Sequence, residues 1–112
     1  MFAGTLPKGD ALGVVRLAAI MGAKQTANLV PLCHPIGLDH VAVTVEAIAG
    51  GARIEVTCEV EARTGVEMEA ITGASIGAVT LYDMVKGVDR RATIETVRLL
   101  AKSGGRSGDW TR

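Results

Sequence analysis

The clearest pattern along the chain is an alternation of apolar and polar positions in two neighbouring stretches. Every second residue of these stretches is apolar: Val41, Val43, Val45 and Ala47, then Ile54, Val56, Cys58 and Val60. Because successive side chains of a strand point to opposite faces, the alternation predicts two half-buried strands, from His40 to Ile48 and from about Arg53 to Glu61. Gly50-Gly51 between them predicts a hairpin turn.

Two longer stretches have the composition of helices. Asp10 is a candidate N-cap, and the proline-free stretch from Ala11 to about Leu29 is rich in Ala, Leu and Met. A second helix is predicted from Glu67 to Val88, with Met68, Ile71, Ser75, Val79 and Tyr82 at helical spacing. Its small residues would let another element approach closely: Ala70, Gly73, Ala74, Gly77 and Ala78.

The remaining segments complete a predicted α+β domain. Ile94 to Ala101 is a candidate final strand, and the glycine-rich stretch 103–109 is a predicted loop. With a first strand that is short or missing in Met1–Leu6, the order becomes β-α-β-β-α-β. The expected fold is a ferredoxin-like antiparallel sheet with helices packed on one face, in a single domain over residues 1–112.

Composition narrows the class of protein. The chain has 12 basic and 12 acidic residues and no basic block, which argues against nucleic-acid binding. No apolar run approaches the ~20 residues that a membrane span requires. Only three residues are aromatic, so we expect further burial against other copies of the chain. Two widely separated cysteines, Cys33 and Cys58, are typical of free thiols in a cytoplasmic protein.

Two groups of polar residues in the first two thirds of the chain are candidates for chemistry. His34 lies between Pro31 and Pro35, in a stiff segment that would hold an imidazole still for substrate binding or proton transfer. A structural histidine in a turn is the alternative. Glu67 and Glu69 are either ligand-binding carboxylates at a helix start or acids stabilised there by the helix dipole.

An aspartate–lysine pair and two further lysines are also candidates for chemistry. Asp83 and Lys86 are three positions apart on one predicted helix face, as an acid/base couple or an ordinary surface ion pair. Lys8 precedes a predicted helix start and Lys102 precedes a glycine-rich loop, and both settings suit a phosphate group. Taken singly, a lysine in either setting is more often a solvated side chain than a phosphate ligand.

A metal centre is a weaker interpretation of the same sequence. Cys33, His34, His40 and Cys58 would supply zinc ligands, but their spacing matches no standard zinc pattern. The sequence therefore predicts no metal site.

The predicted helix also limits how these groups can meet. Glu69 and Asp83 are fourteen residues apart, which is roughly 21 Å along one straight helix. They cannot reach the same substrate atom from one continuous helix, so if all these polar groups serve one reaction, we expect helix ends from different subunits to meet. The spacing therefore predicts an active site at a subunit interface.

Taken jointly, five short motifs are far more specific than their parts. In chain order they are Pro7-Lys8-Gly9-Asp10, Pro31-Leu32-Cys33-His34-Pro35, Gly65-Val66-Glu67-Met68-Glu69-Ala70, Tyr82-Asp83-Met84-Val85-Lys86 and Lys102-Ser103-Gly104-Gly105-Arg106-Ser107-Gly108-Asp109. Over nearly the whole chain, this order and spacing resemble the molybdenum-cofactor biosynthesis protein C family, the cyclic pyranopterin monophosphate synthases. Arg106 stands where the family usually has lysine.

The resemblance implies a function and a set of site residues. It implies conversion of 3′,8-cyclo-7,8-dihydroguanosine 5′-triphosphate to cyclic pyranopterin monophosphate, with release of pyrophosphate. It further implies a homohexamer built as a trimer of dimers, and no cofactor, with Mg²⁺ on the triphosphate left open. The implied catalytic residues are Asp83, Lys86 and Lys8. The implied substrate-binding residues are Leu32, Cys33, His34, Glu67, Met68, Glu69 and Lys102.

Two other readings of the chain remain open from its residues alone. The first is a non-catalytic ferredoxin-like module that binds a ligand or acts as a scaffold subunit. The second is a shortened, inactive relative that has lost its assembly. An acid/base requirement at Asp83 separates the enzyme from the binding module.

Overall fold

The computed structural model describes residues 10–61, 66–104 and 108–112, and the expected first strand in Met1–Leu6 lies outside these residues. The described elements are helices α1 (Ala11–Lys24) and α2 (Thr26–Leu29), strands β1 (His40–Ile48) and β2 (Gly51–Glu59), helix α3 (Glu67–Val85), and strands β3 (Ala101–Lys102) and β4 (Trp110–Thr111).

Helix α1 begins where the sequence predicts. The carboxylate of Asp10 accepts the Leu12 N–H at 3.1 Å and so caps the first turn. The predicted continuous helix to Leu29 is wrong in one respect, because α1 ends at Lys24 and a separate turn of helix, α2, follows. The buried hydroxyl of Thr26 donates to the Ala23 carbonyl at 2.9 Å, a local bond that competes with continued helix.

The predicted hairpin is confirmed. Strands β1 and β2 pair antiparallel over their whole length, from His40 opposite Glu59 to Ile48 opposite Gly51. The turn lies one residue earlier than predicted, because Gly51 already belongs to β2 and Gly50 alone adopts a positive φ of 76°. Burial alternates along β2 as the sequence indicates, so one face of the hairpin turns toward the helices.

Helices α1 and α3 pack closely because glycines lie at their contact. A methyl group on Gly22 of α1 would lie 2.8 Å from Cβ of Ile76, and one on Gly73 of α3 would lie 2.9 Å from the Ala19 carbonyl oxygen. Ala11 and Val15 of α1 form the buried core with Met84 of α3. The two helices therefore run antiparallel, with the start of α1 beside the end of α3.

Strand β2 also runs antiparallel to α3. A Cβ on Gly77 would meet Ile54, and one on Gly73 would meet Val56. Two residues of strand and four of helix cover about the same length, so the next pair along this ladder is Cys58 with Glu69. The Glu69 carboxylate does act electrostatically on the Cys58 thiol. One end of the molecule therefore holds the end of β2 and the start of α3.

The residues that recur at helical spacing in the sequence do lie along one side of α3, but this side is not the buried face of the helix. Met68 is 37 % exposed and Val79 is 54 % exposed, whereas the helix buries Glu69, Thr72, Gly73, Gly77 and Met84. The side of α3 that packs on α1 carries small residues because the two helices approach each other closely. The predicted face instead lies on the outside of α3.

The last third of the chain departs most from expectation. Helix α3 ends at Val85 rather than Val88, and the Lys86–Val88 turn follows. The predicted strand from Ile94 to Ala101 is wrong, since only Ala101 is in a strand. An extended segment is a strand only if a neighbour supplies hydrogen bonds, and among the described residues β3 pairs with β4 alone.

The described residues form an α+β structure in which α1 and α3 pack on one face of the β1–β2 antiparallel sheet. This arrangement confirms the predicted class and is consistent with the ferredoxin-like order. Within the described ranges, no helix is long and apolar enough to cross a membrane.

Candidate active site

Apart from Lys102, the predicted site residues that the structure describes lie at two ends of the α1–α3 helix pair. We define the Glu69 end as the start of α3 with the end of β2 and the segment after α2. We define the Asp83 end as the last turns of α3 with the start of α1. Both definitions follow from the antiparallel course of α3 against α1 and β2.

At the Glu69 end, Glu67, Met68 and Glu69 form the first turn of α3. Acidic side chains are stabilised there by the partial positive charge of the helix N-terminus. Glu69 is only 4 % exposed, while Met68 faces outward. A buried carboxylate and an exposed apolar side chain thus lie in one turn.

The Cys58 thiol reports on this environment. Burial, and then the nearby Glu69 carboxylate, raise the pKa of Cys58 to about 11. The thiol therefore stays protonated at neutral pH and is a poor nucleophile. Its neutrality also means that it adds no charge beside Glu69.

The segment with Leu32, Cys33 and His34 belongs to the same end. It leaves α2, which contacts α3, and returns to the chain at β1, whose His40 pairs with Glu59 just beyond Cys58. The Cys33 N–H donates to the Val30 carbonyl at 3.1 Å, which fixes the turn. Leu32 is 94 % exposed and His34 is exposed, so both side chains are open to a ligand or another chain.

An aspartate that sequence analysis overlooked supports this end. The Asp39 N–H donates to the Glu59 carbonyl at 2.9 Å, and its carboxylate accepts the Glu61 N–H at 2.7 Å. Asp39 therefore extends the hairpin contacts beyond β1 and fixes the chain that leads from His34 into the sheet. Its signal in the sequence was its place directly before the first alternating strand.

At the Asp83 end, the predicted neighbours do meet. Nζ of Lys86 lies 3.0 Å from Oδ1 of Asp83, and both side chains are about half exposed. As a surface ion pair this contact contributes at most ~1 kcal/mol to the free energy of folding. The pair therefore adds little to the stability of the protein. Asp10 starts α1 at the same end. Lys8 lies outside the described residues, two positions before Asp10 in the chain.

The two ends are too far apart to act on one atom within a single chain. Glu69 and Asp83 are both in the continuous helix α3, fourteen residues apart, which places them roughly 21 Å apart along its axis. Among the described residues, the structure therefore places the predicted groups on α3 at two separate ends rather than in one cluster. Within one chain, His34 and Glu69 share an end, and Asp83 and Lys86 share the other.

Lys102 lies in a small hairpin of its own. It is partly buried in β3 and pairs with Trp110 of β4, while the Gly104 N–H donates to the Asp109 carboxylate at 3.1 Å. Arg112 closes the hairpin through its N–H to the Leu100 carbonyl at 2.8 Å. Sequence reasoning missed this tail, because two-residue strands leave no periodic pattern. The loop residues 105–107 lie outside the described residues.

The described residues give no support to the alternative of a zinc site. In the part of the chain that the structure describes, no three His, Cys, Asp or Glu side chains cluster closely enough to hold a metal ion. Cys33 and Cys58 are both free thiols.

Comparison with known proteins identifies the relationship. The MoaC family model matches residues 1–105. The chain belongs to the MoaC family. Helices α1 to α3, the β1–β2 hairpin and Lys102 all fall within this MoaC match.

Individual relatives agree with the family assignment. A cyclic pyranopterin monophosphate synthase of Corynebacterium efficiens is 52 % identical over 99 % of this chain and 72 % of the relative. One of Chloroflexus aurantiacus is 53 % identical over 97 % of this chain and 68 % of its own length. One of Nostoc sp. is 54 % identical over 96 % of this chain and 66 % of its own length.

Proposed function

We propose that this MoaC chain is a cyclic pyranopterin monophosphate synthase, a lyase of molybdenum-cofactor biosynthesis. It converts 3′,8-cyclo-7,8-dihydroguanosine 5′-triphosphate to cyclic pyranopterin monophosphate and releases pyrophosphate. The observation that carries the proposal is the level of identity, above one half over nearly the whole chain, to proteins named for this activity. The site geometry supports it independently.

The Asp83–Lys86 pair is the proposed centre of proton transfer. Rearranging a purine-derived ring into a pterin requires several proton transfers, which a carboxylate and an ammonium at 3.0 Å are suited to exchange. We assign Asp83, Lys86 and Lys8 the catalytic roles.

Cations are proposed to hold the phosphates. Closing a cyclic phosphate with loss of pyrophosphate moves negative charge toward the leaving group, which nearby ammonium groups stabilise. Lys8, Lys86 and Lys102 are the lysines that the family resemblance places around the substrate. The hairpin that carries Lys102 keeps its backbone fixed, which supports a binding role for this side chain.

The Glu69 end is proposed to bind the heterocycle. Glu67 and Glu69 offer acceptors to ring N–H groups, and Met68 offers an exposed apolar surface. Leu32, Cys33 and His34 lie at the same end on a fixed turn. A ring held between these groups would be oriented by several contacts at once, which lowers the entropic cost of reaction.

We further propose that each active site is shared between two copies of the chain. The roughly 21 Å between Glu69 and Asp83 prevents both from acting on the same substrate atom within a single chain. A two-fold axis that reverses α3 would bring the Glu69 end of one copy to the Asp83 end of another. The proposed assembly is a homohexamer, a trimer of such dimers.

The proposed reaction uses no resident cofactor, and Mg²⁺ would enter only with the triphosphate. We place the enzyme in the cytoplasm, which the two free thiols support. Assays with added Mg²⁺ and with a chelator would measure the metal requirement directly.

The proposed function is tested with one conservative substitution and a matched control. Asp83→Asn should abolish pyrophosphate release and the fluorescent pterin formed after oxidation, while circular dichroism remains unchanged, because the half-exposed side chain adds little to stability. Asp89→Asn is the control, since Asp89 is exposed just beyond α3 and contacts Arg91. Full activity of Asp83→Asn would refute the assignment.

The non-catalytic binding or scaffold module finds no support in these comparisons. The Asp83→Asn experiment distinguishes such a module from the enzyme. A binding module would retain its ligand and would form no product even as the unsubstituted protein.

A further inference from the structure

One end of the β1–β2 hairpin is the place where two chain segments leave the sheet together. The last pair of the ladder is His40 with Glu59. The chain before His40 comes from residues 32–34, which we call the binding segment because they are candidate substrate-binding residues. The chain after Glu59 continues to Glu61, six positions before Glu67. Two parts of the proposed site are therefore attached to neighbouring ends of β1 and β2.

Asp39 joins these two segments just beyond the ladder. Its backbone N–H donates to the Glu59 carbonyl oxygen at 2.9 Å. Its carboxylate Oδ2 accepts the Glu61 N–H at 2.7 Å. We call these two hydrogen bonds the Asp39 bridge. The bridge continues the contact between the two segments past the end of β2 at Glu59.

The side chain of Asp39 replaces a contact that regular strand pairing does not supply. The register of the hairpin, extended by one pair, would set Asp39 opposite Val60. Its two hydrogen bonds go instead to the residues on either side, Glu59 and Glu61. Short polar side chains can take over from a regular ladder in this way, because their oxygen lies close to the backbone. Removing the carboxylate would therefore leave the Glu59 bond without its companion.

The position of the binding segment depends on its two ends. At one end the Cys33 N–H donates to the Val30 carbonyl oxygen at 3.1 Å, and at the other end the chain reaches the Asp39 bridge. His34 is exposed, so packing does not hold its side chain. Pro35 restricts the backbone of His34 to extended conformations, which makes this part of the segment stiff. The Asp39 bridge is therefore one of the contacts that decide where His34 lies.

We propose that Asp39 is a positioning residue of the synthase, because the Asp39 bridge holds the binding segment where it can receive the substrate. This role rests on the proposed function, which takes residues 32–34 as substrate-binding residues. Asp39 itself does not touch the substrate. It acts through the binding segment, and it does so with its oxygen as a hydrogen-bond acceptor rather than with its charge.

Loss of the bridge should weaken substrate binding and leave the chemical step unchanged. In Asp39→Ala the binding segment would occupy its binding position for only a fraction of the time, and the apparent affinity falls by that fraction. Bound substrate restores the position of the segment, so kcat should stay within about twofold of the wild-type value. KM should rise roughly five- to tenfold, as expected for the loss of one hydrogen bond.

Two further variants separate the hydrogen bond from other effects. Asp39→Asn removes the charge but keeps an oxygen that accepts the Glu61 N–H, so its KM should stay close to that of the wild type. Asp89→Ala is the matched control. The Asp89 carboxylate accepts the Arg91 N–H at 2.9 Å, a bond of the same kind that lies outside the binding segment, so its loss should leave KM unchanged.

The kinetic assay uses the full chain and follows the fluorescent pterin formed after oxidation. Added inorganic pyrophosphate, as a product inhibitor, measures binding at the phosphate side of the site, and its inhibition constant should be equal in all variants. A merely structural role of Asp39 gives a different result, because partial unfolding lowers kcat per amount of protein and leaves KM unchanged. A high KM with normal kcat and normal pyrophosphate inhibition is therefore specific to positioning.

Hydrogen exchange of the free protein tests the Asp39 bridge without any substrate. The amides of Cys33, Asp39 and Glu61 should exchange faster in Asp39→Ala than in the wild type, and at the wild-type rate in Asp39→Asn. Unchanged exchange in Asp39→Ala would show that the bridge does not hold the segment and would overturn the proposal, whatever the activity.

The remaining outcomes are also decisive. Faster exchange with an unchanged KM, or with a fall in kcat alone, would show that Asp39 has only a structural role. A KM for Asp39→Asn as high as that of Asp39→Ala would contradict the hydrogen bond as its cause. If the unsubstituted protein forms no pterin, the proposed function fails and the positioning role fails with it, while faster exchange in Asp39→Ala would still establish the bridge.

Discussion

Subunit complementation gives the strongest test of a shared active site. Two single-substitution proteins are made, Asp83→Asn at one end of α3 and Glu69→Gln at the other. Each should be inactive alone, because every composite site lacks one of its groups. Gln is close in shape to Glu, so the buried Glu69 position should tolerate the change without a cavity.

Mixing the two chains should restore activity by a calculable amount. A site needs an intact Asp83 from one copy and an intact Glu69 from another, and each copy is intact at the required residue with a probability of one half. Random assembly from equal amounts therefore gives about a quarter of the wild-type sites, whatever the number of dimers in the complex. The quarter requires that the two residues of a site come from different copies, which their separation of roughly 21 Å along α3 supports.

The assay is pyrophosphate release by protein from co-expressed chains, normalised to total protein. The control mixture combines Asp83→Asn with Lys86→Ala. These residues are 3.0 Å apart at the same end of one chain, so every composite site retains one defect and no activity returns. If the Asp83→Asn and Glu69→Gln mixture is no more active than its parents, the shared site is wrong.

Two further predictions concern packing and titration. Gly73→Ala should lower the free energy of unfolding by about 1–3 kcal/mol in urea titrations, since its methyl would lie 2.9 Å from the Ala19 carbonyl oxygen. Gly37→Ala, with open space at that position, should cost far less, and equal losses would contradict the close contact. Because the folded pKa of Cys58 is raised to about 11, its stabilising neutral form is fully present below about pH 9. Stability should then fall between about pH 9 and pH 11, and Cys58→Ala should flatten that slope in pH-dependent urea unfolding; an unchanged slope would refute it.

The local elements of the fold were readable from the sequence. Alternating side chains determine a strand wherever one face is buried, so the hairpin from His40 onward followed from its pattern. Asp10 likewise caps α1 as predicted, because an N-cap acts on the N–H groups of its own first turn. The five motifs also sufficed to indicate the MoaC family.

Tertiary structure decided what depends on contacts between distant residues. The segment from Ile94 to Leu100 has strand-like composition, yet pairing requires a neighbour that composition does not specify. Periodicity marked an apolar stripe on α3, but only the approach of α1 at Gly22 and Gly73 showed that the stripe faces outward. Asp83 and Lys86 meet because helical spacing fixes them, whereas their distance from Glu69 matters only once α3 is known to be one continuous helix. Local hydrogen bonding and side-chain alternation are encoded over a few residues, while packing partners are chosen by the whole chain.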